Sequence, residues 1–322
     1  MAKLAVLTSG GDAPGMNSAI RAVVRAATAK DIHVMGIRHG FSGLLACDFV
    51  ALNSRSVANI MHLGGTILHT CRSPEFKTVE SRARAASLLE EAKVDFLIAI
   101  GGDGTLRGSA ALSEETGTKI VNIPSTIDND VYGTDYTIGF DTAVNTALEA
   151  IDRIRDTATS LDRVFFVEVM GRDTGFIALE CGIAGGALEI LIPEVSESMS
   201  HLCHSIQDSF ARGKGSCIIV VAEGDRPGGA FEVAKEVKSM TGLDSRVVVL
   251  GHTQRGGSPT ARDRVLATKL GVAAVGVLLQ GRAGVLVGER GEQIVHIPLK
   301  EAAAKKKPLD NLLVELLKLV AG

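Results

Sequence analysis

Aromatic residues make up only 4% of the 322-residue chain, with two tyrosines and no tryptophan, so few rings are on hand to stack on a purine base. Cysteine is scarce too: Cys47, Cys71, Cys181, Cys203 and Cys217 are odd in number, scattered and without any CxxC pair. That excludes a disulfide framework and a zinc ribbon and points to a reducing cytoplasm. Positive charge is not in surplus, since 34 Lys and Arg stand against 37 Asp and Glu for a net charge of -3. A nucleic-acid partner held by a broad basic field is therefore excluded, and an anionic substrate must be met by local arginines. Long apolar runs are missing as well. The start, Met1 to Leu7, enters a glycine turn too early for a signal peptide. The longest apolar run, Leu270 to Leu279, falls short of the ~20 residues that cross a bilayer, so no membrane partner is expected and the run reads as a buried helix. No low-complexity segment or long linker divides the chain. The lysine run Lys305 to Lys307 before Pro308 reads as a solvated connection.

What is present is ordinary globular material, 46% hydrophobic and 22% charged, in a length that suits about two domains of ~150 residues. Glycine is the exception, at 36 residues or about 11% of the chain, against ~7% ordinarily. Short apolar runs recur at Leu4 to Leu7, His33 to Ile37, Phe96 to Ile100, Ile120 to Ile123, Val164 to Val169, Ile190 to Ile192, Cys217 to Val221 and Val247 to Leu250. Helical spacing separates them at Met16 to Ala29, Thr105 to Thr116, Thr142 to Thr159, Gly175 to Ile183, Leu202 to Ala211, Phe231 to Met240, Arg262 to Leu279 and Leu309 to Val320. The alternation predicts an α/β protein with mostly parallel sheets and crossover helices, both halves built alike. Composition places a boundary near residues 135 to 145, with a second crossing near residue 250.

In such sheets ligands sit beyond the carboxyl ends of the strands. After the first run comes Thr8-Ser9-Gly10-Gly11-Asp12-Ala13-Pro14-Gly15-Met16-Asn17, a glycine turn that opens a helix, where bare amides and the helix dipole can hold a phosphate. After Ile100 comes Gly101-Gly102-Asp103-Gly104-Thr105, whose glycines let the backbone approach phosphate oxygens and whose carboxylate can hold Mg²⁺ or simply cap the helix. No GxxxxGK[ST] occurs, so a nucleotide would bind without a P-loop. After Ile123, Pro124-Ser125-Thr126-Ile127-Asp128-Asn129-Asp130 sets two carboxylates two residues apart in a loop. That pattern suits phosphoryl transfer, although Asp and Asn in a turn also bond their own backbone.

These turns, with Met170-Gly171-Arg172 and Gly251-His252-Thr253-Gln254-Arg255-Gly256-Gly257-Ser258-Pro259, together resemble bacterial 6-phosphofructokinase in order and spacing, from the N-terminus to about residue 290. The resemblance implies two Rossmann-like three-layer domains with the active site in the cleft between them. Residues 1–140 plus about 254–300 would bind nucleotide, and 141–253 plus about 301–322 the sugar phosphate. It implies MgATP-dependent phosphorylation of fructose 6-phosphate at the 1-hydroxyl, a committed step of glycolysis. Asp128 matches the family's general base. Thr126, Gly11, Arg72 and Arg172 match groups on the transferring phosphoryl, and Asp103 matches the Mg²⁺ site. Gly102, Gly104, Thr105, Gly108 and Arg72-Ser73 match nucleotide contacts. Thr126 to Asp128, Ile127 included, match contacts to the sugar phosphate, as do Met170, Gly171, Arg172 and Glu223. Arg163, Arg246, His252 and Arg255 match the 6-phosphate clamp, with Arg163 and Arg246 reaching in from a neighbouring subunit of a homotetramer.

Pyrophosphate-using relatives carry an acid where Gly104 stands and a lysine where Ser125 stands, so ATP is the expected donor. Ser125 itself departs from the usual ATP-type glycine. Arg21 and Arg25, at i,i+4 spacing, join Arg155, Gly186, Arg212 and Lys214 in matching an effector site for ADP or phosphoenolpyruvate; the bland reading is a solvated basic face. Ser54 and Leu188 replace an expected arginine and acid there, with Arg55 and Glu189 next to them. Alternatives are a pyrophosphate-dependent enzyme and a non-catalytic nucleotide sensor, which could lose Asp128 or Arg172 at little cost. The NAD and diacylglycerol kinases share only the Gly-Gly-Asp-Gly-Thr loop. His201-Leu202-Cys203-His204 reads as surface helix and Cys71 as neutral filler near the nucleotide.

Overall fold

The computed structural model describes residues 2–161 and 163–320. The chain divides into two compact units, one of residues Met1–Thr142 with Arg255–Lys307, the other of Ala143–Gln254 with Pro308–Gly322.

Unit 1 carries β1 (Lys3–Ser9), α1 (Met16–Thr28), β2 (His33–Ile37), α2 (Gly40–Leu45), β3 (Phe49–Leu52), α3 (Val79–Glu91), β4 (Phe96–Gly101), α4 (Asp103–Thr116) and β5 (Ile120–Pro124). α5 (Phe140–Leu161) begins there and runs into unit 2. Unit 2 holds β6 (Val164–Val169), α6 (Phe176–Ala184), β7 (Glu189–Leu191), α7 (Met199–Ala211), β8 (Cys217–Ala222), α8 (Gly229–Thr241) and β9 (Ser245–Val249). The chain returns to unit 1 for α9 (Ala261–Leu279), β10 (Val285–Arg290), β11 (Gln293–Pro298) and α10 (Leu299–Ala304), and α11 (Asn311–Val320) closes unit 2.

The sheet of unit 1 has the order β11-β10-β5-β4-β1-β2-β3 and is parallel except for the edge strands β3 and β11. Its central strands read as unbroken apolar runs because helices cover both faces. The period of two sends Ala5, Leu7, Leu97 and Ala99 to one face, where Leu44, Leu89, Leu106 and Leu299 of α2, α3, α4 and α10 close a core. α1 and α9 pack together against the other strand faces. In α1 the buried positions Met16, Ala19, Ile20, Val23, Val24 and Ala27 keep helical spacing.

Unit 2 has an all-parallel sheet in the order β7-β8-β6-β9, with α7 and α8 closing one core and α11 packed on α6. The chain is thus α/β with two Rossmann-like sheets, one larger than the other.

Several elements depart from the expectations. The antiparallel pair β10–β11 escaped prediction because Glu289, Arg290, Gln293 and His296 interrupt its apolar pattern; it reverses at Gly291 and Glu292, both with positive φ (52° and 65°). α2, α3, β3 and α10 were not expected either. The Leu270 to Leu279 run is buried on one side only, with Val272 and Leu279 exposed. Lys305 to Lys307 is more than a solvated connection: Lys306 bridges Val131, Lys305 lies over the Tyr132 ring and Lys307 donates to the Asp135 carbonyl at 2.5 Å.

Candidate active site

Strand order decides what the glycine turns can do. β5, β4 and β1 are neighbours in one parallel sheet, so the turns after them emerge side by side at its carboxyl end. At ~4.8 Å between strands, the three turns span roughly 10 Å. Atomic contacts tie them together. Thr105 donates its hydroxyl to the Ser9 carbonyl (3.0 Å), and the Ser125 amide donates to the Gly101 carbonyl (3.0 Å). A Cβ on Gly101 would lie 2.4 Å from Thr105 Oγ1 and 2.5 Å from Ser9 O, so only glycine lets the first two turns approach. A Cβ on Gly102 would come within 3.1 Å of Thr126 Cβ, which puts the second and third turns in contact.

Gly104 is different. A Cβ there meets nothing within 4 Å, so its side faces open space. Asp103, the first residue of α4, holds a half-buried carboxylate at a helix N-terminus. Its oxygens suit a hard cation such as Mg²⁺, which keeps most of its ligands as water and phosphate. Among the described residues no cluster of three or more His, Cys, Asp or Glu could hold a metal alone, so a cation at Asp103 would need the ligands that a nucleotide's phosphates supply. Gly108, one turn on, rests against the stacked rings of Phe41 and Phe76. Arg72 and Cys71 are exposed, and Ser73 is half-buried.

Asp128 is 2% exposed, in a loop locked from several sides. Its amide donates to Thr126 Oγ1 (3.2 Å), the Thr137 hydroxyl donates to the Thr126 carbonyl (2.6 Å), and Asn129, at φ 53°, accepts from the Thr137 amide (3.0 Å). Ile127 is fully buried. Ser125 is buried as well, and its hydroxyl donates inward to the Ile138 carbonyl (3.3 Å), so the departure from glycine is absorbed by the scaffold. Arg255 lies on the first turn: its guanidinium donates to the Asp12 carbonyl (3.1 Å) and sits 2.6 Å from where a Gly11 Cβ would be.

Sequence reasoning missed a supporting carboxylate. Asp263, 1% exposed, accepts from the amides of Gly139 (2.8 Å) and Thr142 (2.9 Å) and from the Thr142 hydroxyl (2.5 Å). It thereby caps α5 and fixes the chain leaving the Asp128 loop. Burial pushes its carboxyl up, against the pull of those donors. Its sequence signal was the run Thr260 to Asp263, in which the Thr260 hydroxyl caps α9.

In unit 2, Met170, Gly171 and Arg172 follow β6, Glu223 follows β8 and His252 follows β9, all at the carboxyl end of that sheet. Glu223 Oε1 accepts from the amides of Arg172 (2.7 Å) and Gly171 (3.4 Å) and holds Arg172 at φ 57°. Gln254, fully buried, accepts from the Met170 amide at 2.9 Å. Arg163 and Arg246 lie at the other end. Arg163 directly precedes β6, and Arg246 is the second residue of β9. Seven rises of ~3.3 Å put about 23 Å between Arg163 and Met170, so unit 2 of one chain does not bring the two groups together.

Of the effector candidates, Arg21 and Arg25 share a face of α1. Arg155 donates to the carbonyls of Gly185 and Gly186. Arg212 and Lys214 line a cavity of about 580 Å³ with Leu188, Glu189, His201 and His204. Burial pushes the Glu189 carboxyl up, while the Ser205 hydroxyl and the His201 ring lower it.

A family profile described as Phosphofructokinase matches residues 3–278 of the chain. Over 321 residues, covering the whole of both chains, it is 55% identical to ATP-dependent 6-phosphofructokinase 1 of Thermus thermophilus. Among solved structures it is similar to phosphofructokinase from Saccharomyces cerevisiae, with a TM-score of 0.87 at 36% identity over 99% of this chain and 47% of the yeast one, about half its length. It is also similar to a pyrophosphate-dependent phosphofructokinase from Nitrosospira multiformis, with a TM-score of 0.86 over 99% of this chain and 91% of the other; the 24% identity shows the fold alone.

Proposed function

This chain belongs to the phosphofructokinase family, and we propose that it transfers the γ-phosphoryl group of ATP to the 1-hydroxyl of fructose 6-phosphate, giving fructose 1,6-bisphosphate and ADP. The observation that carries the reading is the contact of three turns at the ends of β5, β4 and β1, with one carboxylate suited to a cation and another, Asp128, buried and rigid.

Asp128 takes the proton of the 1-hydroxyl as its oxygen attacks phosphorus. Its pKa need not be high, because the transition state is loose and the proton leaves late. The Gly11 amide, Thr126, Arg72 and Arg172 stabilise the charge of the transferring group. Asp103 would hold Mg²⁺, which when bound neutralises phosphate charge. Gly102, Gly104, Thr105, Gly108 and Ser73 contact the nucleotide, and the open side of Gly104 favours ATP over pyrophosphate. Met170, Gly171, Arg172 and Glu223 contact the sugar, and His252 and Arg255 its 6-phosphate.

The placement of Arg163 and Arg246 at the amino end of their sheet supports a shared site, in which these arginines serve a neighbouring copy of a homotetramer. Arg21, Arg25, Arg155, Gly186, Arg212 and Lys214 form an effector site for ADP or phosphoenolpyruvate, altered at Ser54 and Leu188. The free cysteines fit a reducing cytoplasm. Supplying ATP and then pyrophosphate as sole donor tests the reading: product is expected with ATP, and product from pyrophosphate alone would overturn it.

A further inference from the structure

Arg107 has no part in the mechanism above, yet it grips the one carboxylate assigned to the cation. It stands one turn after Asp103 on α4, with Nε donating to Oδ1 at 3.1 Å and Nη2 lying 3.0 Å from Oδ2. The planar fork thus occupies one of the two lone pairs on each oxygen, the face of the carboxylate that a cation gripping both oxygens would need. The pair is exposed, with 62% of the Arg107 side chain and 34% of the Asp103 side chain accessible, so it is weak enough to be displaced. Gly104 and Gly108 are bare beside it, which leaves Arg107 the long side chain on this stretch of the helix.

We propose that Arg107 is a displaceable latch on Asp103: it holds the carboxylate while no cation is bound and must release it before a cation can coordinate, so it sets the metal dependence of the enzyme. Arg107 is a positioning residue here, and the inference rests on the reading of Asp103 as the cation's carboxylate. A bound divalent ion also repels a guanidinium left beside it, so latch and ion exclude one another.

The test is a titration with Mn²⁺ of the enzyme saturated with an ATP analogue whose β–γ bridge cannot be cleaved, since the ion's remaining ligands come from the phosphates, followed by water-proton relaxation, which reads the protein-bound ion without turnover. Arg107→Met is expected to bind Mn²⁺ at least about threefold tighter than wild type, from the lost pair and the lifted repulsion. Arg107→Lys, which keeps the charge and loses the fork, should fall between the two, and Asp103→Asn should bind the ion several-fold more weakly than wild type. Unchanged or weaker Mn²⁺ binding by Arg107→Met, with Asp103→Asn still weakening the ion, overturns the latch alone. Wild-type binding by Asp103→Asn overturns the cation reading of Asp103 and the latch with it. Thermal melts of all variants confirm that each is folded.

Discussion

Replacing Gly104 by aspartate isolates the electrostatics of donor choice from the integrity of the fold. The site has room, since a Cβ at Gly104 meets nothing within 4 Å. The new acid falls in the first turn of α4, where a negative charge contributes about 0.3–1 kcal/mol to stability. The unfolding midpoint should therefore hold or rise slightly. Catalysis should respond otherwise. A carboxylate at about 4 Å from a phosphate oxygen repels it by about 1 kcal/mol under bulk-water screening and about 4 kcal/mol near a protein surface. At about 1.4 kcal/mol per decade, the KM for ATP rises about 5-fold to 700-fold, and the rise shrinks as salt is added. ADP release against ATP concentration, at low and high ionic strength, measures it. A KM within about twofold of wild type, in a folded variant, would mean that the phosphates do not pass Gly104 and would refute the donor argument.

Asp263→Ala removes the acceptor shared by the Gly139 and Thr142 amides, and urea unfolding should register a loss of about 2–6 kcal/mol, as buried donors without their acceptor cost about 1–3 kcal/mol each. A loss below about 0.5 kcal/mol would contradict the capping role. Glu189 gives a pH-dependent signature. Burial raises its folded pKa above the ordinary 4.5, so the folded state favours the protonated form; stability is fullest below about pH 4.5 and declines as pH climbs through the folded value. Glu189→Gln does not titrate, so its melting temperature relative to wild type should improve from pH 5 to pH 8; a difference independent of pH would remove the burial argument.

Parallel strands with both faces covered carry a strong apolar signal, and the eight runs read from the sequence all became strands. The edges were harder. β10 and β11 mix polar and apolar residues, β3 is only four residues long, and α2 is too short for a period to show. At the site, residue types and spacing revealed the three turns but not that their strands are neighbours, because strand order is a property of the whole sheet. Arg255 and Asp12 are 243 positions apart, and nothing local ties one to the other. That Ser125 turns its hydroxyl inward to Ile138 also depends on the folded loop. The Asp103–Arg107 pair was legible at i,i+4 and was overlooked beneath the glycine motif. That Arg163 and Arg246 lie at the opposite end from Met170 follows from their place at the start of a strand, once the strands are known to be parallel.

The most direct measurement is turnover of Asp128→Ser beside calorimetric binding of both substrates to the same protein. The account predicts kcat lower by about 10²–10⁴, with both dissociation constants within a few-fold of wild type, because the lost group acts on the proton in flight. Turnover close to wild type would contradict Asp128 as the base and, with it, the assembly of the three turns into one phosphoryl-transfer site.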